Sequence, residues 1–531
     1  MKRTVLAKLF LYLLLSSALV VLLAACTEKS GTTDTTPATE SVTGTSPATE
    51  APTETPTEPE ATAPIETPTE TETEPESETA DYSAYVPHYN YAYLHNTANG
   101  GTAMQVSGKR TVGTHFQVTS ADCFLSTLTF TCPGWGSHTG SMDVSFYRWD
   151  TDHGQTLKGD PVFTHTVTNV PDNASVTVTL PAHTIGEGEW YVEFANGTSN
   201  DPIGVWVNST AAEGNDCFSV LGGFMSGRAT DRVLQGYATY VRYETGAEEP
   251  KPLDPTGYTQ LTEGKAHVIV LTGQSNAAGQ SLYAFLKDHI SAEDYAKYEQ
   301  GFENILIDVH LDNGNPANMS TNGFVPVKLG QGSLQERFGI EIGLAAYLDR
   351  TYPGEKFYII KSGFSASGLA KHWQEGQSCH NLFVGNMQKS LNRLTDMGLE
   401  PEIFAFLWMQ GETDACTVED TERYGELQDQ LVARMNERYA KYVAPNGMAF
   451  IDAAISDRAC WPYATIVNMM KMQCDSLSQN RYFLDTNTPD IDCRDENNDL
   501  AHYDSDDMLE LGTLFGEAVG EVIENAKRAA G

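Results

Sequence analysis

Residues 268–276 have the sequence VIVLTGQSN, in which an apolar run is followed directly by a glycine and a serine. Comparable apolar runs recur further along the chain, at 305–309, 357–360, 403–407 and 449–451. Longer segments with helical spacing lie between them, and such alternation of apolar strands with helices is typical of a parallel sheet covered on both faces. We therefore predict an α/β domain over 265–531, with its ligand crevice beyond the carboxyl ends of the strands.

Ser275 follows the first of these strands at a predicted tight turn into a helix. Gly273 allows the backbone to bend there, so the serine hydroxyl can point into the crevice. The backbone N–H groups at the start of the helix can receive an oxyanion. Serine after glycine is common in ordinary turns, so this motif is weak on its own.

Two further polar motifs are expected at the same crevice. Residues 408–414, WMQGETD, follow the strand at 403–407, although Thr413 or Asp414 could simply cap the next segment. Residues 499–502, DLAH, precede the last predicted helix. A carboxylate three residues before a histidine can accept from Nδ1–H and leave Nε2 free as a base. The three motifs together are far more specific than any one, and they indicate a serine-hydrolase site.

Taken together, 273–276, 408–412 and 499–502 resemble the signature blocks of the SGNH hydrolases. More narrowly, they resemble the branch that contains the sialate O-acetylesterases and carbohydrate esterase family six. Residues 338–341 and 361–373 are also similar to that branch. The resemblance implies a flavodoxin-like α/β/α sandwich with a parallel sheet, and an esterase without a metal or an organic cofactor.

The resemblance also implies a role for each matching residue. Ser275 would be the nucleophile, and His502 would be the base and later the acid. Asp499 would orient His502. The Ser275 backbone N–H and the Gln410 side chain would help to form the oxyanion hole. Glu412 would either hold its loop or serve as the acid partner of His502, and the sequence leaves both roles open.

The chain departs from the family pattern at two places. Where the branch usually has a glycine pair after the lysine of its second block, this chain has Ser365 and Ala366. A backbone N–H remains available at Ser365 as an oxyanion donor. The methionine that usually follows the first block is Ala277 here, and this smaller side chain would widen the acyl or sugar pocket.

A different pattern, with period-two alternation between turn residues, precedes the α/β domain. It is typical of an all-β sandwich of roughly eight strands, which we assign to 82–247. The predicted strands lie at 115–118, 125–130, 144–147, 162–167, 176–180, 190–194, 204–207 and 237–243. Its aromatic side chains could stack on sugar rings or could form core or interdomain packing, as for Tyr82, Tyr85, Tyr89, Tyr91, Tyr93, Trp135, Trp149 and Trp206. This domain is therefore a possible carbohydrate-binding or spacer module, and the proline-rich residues 248–264 form a linker.

The N-terminus is typical of an exported lipoprotein. A basic segment precedes an apolar run over 9–23, and a small-residue site ends in Cys26, which resembles the bacterial lipobox. We predict a signal peptide over 1–25 and a lipid anchor at Cys26. The alternative, an uncleaved membrane helix, would need about 20 apolar residues. Residues 26–81, rich in Thr, Pro and Glu, predict a disordered stalk.

Composition limits the remaining classes of function. The chain has 531 residues and a formal net charge of −38, which argues against binding of nucleic acid. None of its nine cysteines forms a C-x-x-C motif, so a zinc or redox site is not expected. The sequence also lacks the G-x-S-x-G, H-E-x-x-H and P-loop motifs. The pairing of the cysteines cannot be predicted from their spacing.

We therefore predict a serine esterase that removes acetyl or other acyl groups from carbohydrate at the bacterial cell surface. A lipase or thioesterase of the same superfamily is one alternative, and it would prefer long acyl chains. An inert surface protein that binds glycan without hydrolysing esters is another. The catalytic hypothesis requires neutral His502, so activity should fall in acid.

Overall fold

The computed structural model describes residues 86–95, 101–137, 139–198, 201–244, 265–312, 318–443, 448–457, 461–476, 480–488, 491, 499 and 501–530. The predicted signal peptide over 1–25, the lipidation site Cys26, the stalk over 26–81 and the linker over 248–264 lie outside the described residues. Within the described part of the chain, no helix is long and apolar enough to cross a membrane.

The first described region is built almost entirely of strands. They are β1 Val86–Tyr93, β2 Thr102–Val106, β3 Val112–Val118, β4 Cys123–Cys132, β5 Gly140–Arg148, β6 Phe163–Val170, β7 Ala174–Thr179, β8 Gly188–Ala195, β9 Ile203–Asn208, β10 Phe218–Met225, β11 Arg228–Thr230, β12 Val233–Leu234 and β13 Gly236–Glu244. One short helix, α1 His153–Thr156, interrupts them.

These strands form a four-stranded sheet in the order β1-β13-β4-β7 and a six-stranded sheet in the order β11-β10-β3-β8-β5-β6. A smaller sheet has the order β12-β9-β2. Phe130 of β4 and Phe194 of β8 join the two larger sheets, with ring centroids 4.8 Å apart in an edge-to-face arrangement. The period-two alternation of the sequence arises because one face of each strand lies in this shared core.

All eight strands predicted for this region are present, but the expected total was too low. Strands β1, β2, β10, β11 and β12 were missed. Strand β10 contains Gly222 and Gly223 and has a register shift after Val220, which breaks the alternation that marks a strand in a sequence. Strands β11 and β12 have only three and two residues and carry too little pattern to detect.

The second region has a mixed sheet flanked by helices. Its strands are β14 Lys265–Gly273, β15 Ser281–Leu282, β16 Phe302–Val309, β17 Val325–Val327, β18 Arg337–Phe338, β19 Phe357–Gly363, β20 Glu400–Met409, β21 Ala449–Ala453 and β22 Arg481–Leu484. Seven of them form one sheet in the order β17-β16-β19-β14-β20-β21-β22. Only β17 pairs antiparallel within the described part of this sheet. Strands β15 and β18 form a separate antiparallel pair.

The helices of this region follow the strands in the expected alternation. They are α2 Ser275–Ala278, α3 Tyr283–Leu286, α4 Ala292–Gln300, α5 Glu341–Thr351, α6 Leu369–His372, α7 Ser378–Asp396, α8 Val418–Thr421, α9 Tyr424–Tyr439, α10 Ala464–Ser476 and α11 Ser505–Ala530. A 3₁₀ turn covers Asp414–Cys416.

Strand β14 lies at the centre of the sheet, between β19 and β20. Every residue of β14 after Lys265 is buried, so both faces of the strand are covered. This arrangement explains why its sequence is continuously apolar rather than alternating. The five predicted strands of this domain are confirmed, whereas β15, β17, β18 and β22 were missed because each has at most four residues.

The two regions contact each other directly. Tyr237 of β13 packs with Ile466 and Met469 of α10 in a small apolar cluster. Partly buried Tyr89, Tyr91 and Tyr93 of β1 border this cluster. Of the two interpretations left open for these three tyrosines, interdomain packing is the one that the structure shows.

A close helix crossing gives a test of the fold. Helices α5 and α11 meet at Gly343 and Gly512, and a Cβ on Gly512 would overlap the carbonyl oxygen of Ile340. We expect Gly512→Ala to lower the free energy of unfolding by about 1–3 kcal/mol, because the overlap outweighs the gain in helix propensity.

Gly385 is the matched control, since it lies on α7 with open space around its Cβ position. Gly385→Ala should raise the free energy of unfolding by about 0.5–1 kcal/mol. Chemical denaturation of both variants measures the difference. Equal stabilisation by the two substitutions would contradict the close crossing.

Candidate active site

Ser275 begins helix α2 two residues after the end of β14, at the carboxyl edge of the sheet. Gly273 has φ of +142°, and a Cβ there would overlap the carbonyl oxygen of Met409 at the end of β20. The Gln274 N–H donates to the same oxygen at 2.9 Å. The turn is therefore pressed against the neighbouring strand, and only glycine fits at position 273. As the first helical residue, Ser275 has no intrahelical acceptor for its N–H.

His502 and Asp499 form a local pair before helix α11. The Nδ1 atom of His502 lies 2.7 Å from Oδ2 of Asp499, while Oδ1 accepts from the Ala501 N–H at 3.0 Å. Burial alone would raise the pKa of Asp499, but the hydrogen bond and charge of His502 outweigh it and hold that pKa below its usual range. The carboxylate is thus ionised and in position to orient the imidazole.

Hydrogen bonds bring the His502 segment to the Ser275 turn. Asn276, next to Ser275, donates through Nδ2 to the carbonyl oxygen of Ala501 at 3.5 Å. The Ser281 hydroxyl donates to the carbonyl oxygen of Tyr503 at 2.7 Å. The residues that flank His502 on both sides are therefore fixed to the segment that follows Ser275.

Ser275 Oγ and His502 Nε2 are not joined by a hydrogen bond in the described part of the chain. In unliganded enzymes this bond is often long, and it tightens when substrate binds. The catalytic roles of Ser275, His502 and Asp499 therefore stay predictions. In the structure, the three residues lie in segments that contact each other, and Asp499 orients the imidazole of His502.

Glu412 is fully buried on the loop after β20. Its Oε1 accepts from Asn276 Nδ2 at 2.8 Å, and Oε2 has no partner among the described residues. Burial raises the pKa of Glu412, and the hydrogen bonds and the charges of Lys471 and His502 oppose it only in part. Of the two roles left open for Glu412, this contact matches that of holding the loops together, because Asp499 occupies the Nδ1 side of His502.

Gln410 is also fully buried, and its amide is already engaged by the protein. Its Nε2 donates to Ser367 O at 2.9 Å and to Asp414 Oδ2 at 2.6 Å, and lies 3.3 Å from Gln274 Oε1. An amide nitrogen has two N–H groups, so none is left over in this arrangement. The oxyanion role expected for Gln410 stays a prediction and would require it to exchange one of these acceptors.

The Asp414 side chain does not cap the segment that follows it. Its carboxylate instead accepts from the N–H groups of Leu369 at 2.8 Å and Ala370 at 3.1 Å, at the start of α6. It therefore fastens the loop after β20 to the loop after β19. The sequence could not show this, because the two segments are 44 residues apart and no local spacing connects them.

Ser365 is exposed on the loop after β19, and the Gln280 side chain donates from Nε2 to its hydroxyl oxygen at 3.4 Å. Ala366 has φ of +56°, a left-handed conformation that glycine adopts more readily. Position 366 is therefore one at which glycine would be less strained than alanine. Ser365 as an oxyanion donor stays a prediction.

Lys361 and Glu341 link the two other segments that resemble the family. Both side chains are fully buried, and Nζ lies 2.6 Å from Oε2. Lys361 also donates to Gln331 O at 3.0 Å, and the other carboxylate oxygen accepts from Gly339 N–H at 2.9 Å. Lys361 lies on β19, beside the central strand, and Glu341 begins α5, so the pair links this helix to the sheet. In the described residues, no group of three or more His, Cys, Asp or Glu side chains is arranged to hold a metal ion.

Residues 265–521 match the model of a family described as carbohydrate esterase, sialic acid-specific acetylesterase. No curated protein matches the chain. Among solved structures, a protein from Arabidopsis thaliana is 18% identical with a TM-score of 0.36, over 48% of this chain and 98% of that one. NanS is 14% identical with a TM-score of 0.37, over 49% of this chain and 97% of its own.

A family two carbohydrate esterase from Cellvibrio japonicus is 8% identical with a TM-score of 0.27, over 83% of this chain and 99% of its own. The family match, rather than these distant structures, covers Ser275, the loop over 410–412 and His502. Residues 265–521 therefore form a domain that matches the sialic acid-specific acetylesterase family of carbohydrate esterases.

Proposed function

We propose that this chain is a serine esterase that removes acetyl groups from carbohydrate, with Ser275 as nucleophile. The observation that carries the proposal is the Asp499–His502 pair, at 2.7 Å, held beside the Ser275 turn in a carbohydrate esterase domain. An imidazole with Nδ1 fixed by a carboxylate presents Nε2 as a base. A serine at a strand-to-helix turn supplies the hydroxyl from which that base takes a proton.

The reaction has two halves. His502 Nε2 accepts the Ser275 Oγ proton as Oγ bonds to the carbonyl carbon of the ester. The tetrahedral intermediate then breaks its bond to the sugar oxygen, which takes the proton from His502, and an acetyl-enzyme remains. Water attacks this ester with His502 again as base, and acetate leaves from Ser275. The Ser275 N–H, at the start of α2, is a donor for the oxyanion.

The strand order supports the narrower SGNH interpretation of the fold. If β16 and its antiparallel partner β17 are set aside, the sheet order is β19-β14-β20-β21-β22. Numbered along the chain, this order is 2-1-3-4-5, which is the flavodoxin-like arrangement. We propose that β16 and β17 extend a flavodoxin-like SGNH core at one edge. The nucleophile then lies at the end of its first strand.

We propose that the enzyme acts outside the cell, tethered by lipid at Cys26. The N-terminal sequence supports this location through its basic segment, apolar run and small-residue site before the cysteine. The substrates would be acetylated polysaccharides or oligosaccharides, since the family is described as carbohydrate esterases. The negative charge of the chain is compatible with neutral glycans and argues against nucleic acid.

Replacement of the nucleophile is the first test. Ser275→Ala should lower acetate release by a factor of at least about 10³, because the proposed mechanism forms the acyl-enzyme on this hydroxyl. The measurement is acetate released from a panel of acetylated glycans, which also identifies the preferred substrate. Ser378→Ala, at an exposed serine of the same domain, is the control and should retain full activity. Substantial turnover by Ser275→Ala would refute the proposed mechanism.

The two carboxylates near His502 are expected to respond differently. Asp499→Asn removes the negative charge and one of the two acceptor oxygens that bind Ala501 N–H and His502 Nδ1. An amide N–H facing Nδ1 would favour the wrong imidazole tautomer, so kcat should fall by a factor on the order of 10³. Glu412→Gln keeps an oxygen to accept from Asn276, so kcat should fall by less than about tenfold. Kinetics with p-nitrophenyl acetate measure both variants. The opposite ranking would make Glu412 the acid partner of His502.

The pH dependence follows from the same pair. Because the folded-state pKa of Asp499 is lowered, the stability that its ionised form contributes is lost only as pH falls through that lowered value. The proposed mechanism requires a neutral imidazole as base. We expect kcat/KM to fall reversibly in acid while tryptophan fluorescence reports a folded chain. A flat rate profile between about pH 5 and pH 8 would contradict a histidine base.

A further inference from the structure

Lys471 is a buried cation that the proposed reaction does not use. It lies on α10 and is 1% exposed. Its Nζ donates to Gln410 O at 2.6 Å, to Asp452 Oδ1 at 2.7 Å and to Ala453 O at 2.7 Å. An ammonium group has three donors, so all of them are used. One of the three bonds therefore holds the backbone of the loop that follows β20.

Lys471 is packed against the loop that contains Glu412. Gly411 has φ of +139°, and a Cβ there would lie 3.4 Å from Lys471 Cε. Lys471 is also one of the positive charges that act on buried Glu412. The Asp452 carboxylate is held from its other side, where Oδ2 accepts from Gln428 Nε2 at 2.6 Å. The ion pair thus joins the ends of β20 and β21 beneath the loop over 410–412.

The opposite side of α10 is covered by the β-sandwich. Ile466 and Met469 pack against Tyr237 of β13, and all three are less than a tenth exposed. The Tyr89 N–H of β1 donates to Gln473 Oε1 at 2.7 Å. Thr465 Oγ1 lies 3.1 Å from Thr177 Oγ1 of β7. The four-stranded sheet of the sandwich therefore contacts α10 through both apolar and polar groups.

Helix α10 thus has one side on the sandwich and another on the catalytic loop. Asn468 donates to and accepts from the backbone of Ile455, at 2.8 Å in each case, which fixes the helix to the chain after β21. Val467 approaches the Cβ position of Gly411 at 2.9 Å. A shift of the helix would therefore move the Lys471 ammonium and the carbonyl of Gln410 together.

We propose that the β-sandwich acts on catalysis through α10, with Lys471 as the positioning residue that transmits its contact to the 410–412 loop. The sandwich is then a part of the esterase scaffold and more than a spacer or glycan-binding module. This inference rests on the proposed esterase function of Ser275. It concerns how the loop is held and assigns no chemical step to Lys471.

A double-mutant cycle in the full chain tests the proposal. One arm is Lys471→Met combined with Asp452→Asn, which removes both charges and avoids a buried unpaired carboxylate. The other arm is Tyr237→Ala on the sandwich. The substrate is p-nitrophenyl acetate, a small ester that needs no glycan-binding surface. Circular dichroism and thermal melting confirm that each variant is folded.

We expect the substitutions to lower kcat and to leave KM nearly unchanged. The charge-pair variant should lose about 10- to 100-fold in kcat, because the loop is misplaced. Tyr237→Ala should lose roughly 2- to 30-fold, and the combined variant should lose much less than the product of the two.

Tyr147→Ala, on β5 of the six-stranded sheet, is the matched control and should retain wild-type kcat. If Tyr237→Ala unfolds the sandwich, Thr465→Val replaces it, since it removes the hydroxyl contact with little change in volume.

Two outcomes would overturn the inference. One is wild-type kcat in both Tyr237→Ala and Thr465→Val. The other is a loss of kcat in the combined variant that equals the product of the losses in the two separate arms. Ser275→Ala is run in parallel. If Ser275→Ala is inactive while the interface variants are normal, only the scaffold role of the sandwich fails. If Ser275→Ala is active, the esterase mechanism itself fails.

Discussion

A single side-chain amide joins the three sequence motifs of this protein. Asn276 Nδ2 donates to Glu412 Oε1 at 2.8 Å and lies 3.5 Å from Ala501 O. These three residues come from the turn after β14, the loop after β20 and the segment before α11. Because Asn276 is 2% exposed, water cannot replace the contact readily. The location of His502 relative to Ser275 depends on this bridge.

Buried ion pairs stiffen the sheet on both sides of β14. Lys361 of β19 pairs with Glu341 of α5, and Lys471 of α10 pairs with Asp452 of β21. Each ammonium also binds a backbone carbonyl, so the pairs fix loops as well as side chains. A buried pair is costly to break and seldom stabilises more than apolar packing would. Their value here is therefore positional: they define where the loops around the site lie.

The features that could be predicted from the sequence are those that local residue patterns determine. The spacing of Asp499 and His502 indicated a pair within one turn, and the structure has it at 2.7 Å. The apolar runs indicated the main strands, including β14 at the centre of the sheet. The partners of Gln410 could not be predicted, since Ser367 and Asp414 reach it only through the tertiary fold. Lys471 gave no signal for a similar reason, because a lone lysine in a helical segment usually lies on a solvated face.

The most direct test asks whether Ser275 and His502 act as one unit. The measurement is covalent labelling of the full chain by a serine-reactive organophosphonate, with mass spectrometry of the digested protein. The account predicts one phosphonyl group on the peptide that contains Ser275 in the wild type, and very slow labelling of that peptide in His502→Ala. Labelling of Ser275 at the wild-type rate without His502, or labelling of another serine, would contradict it.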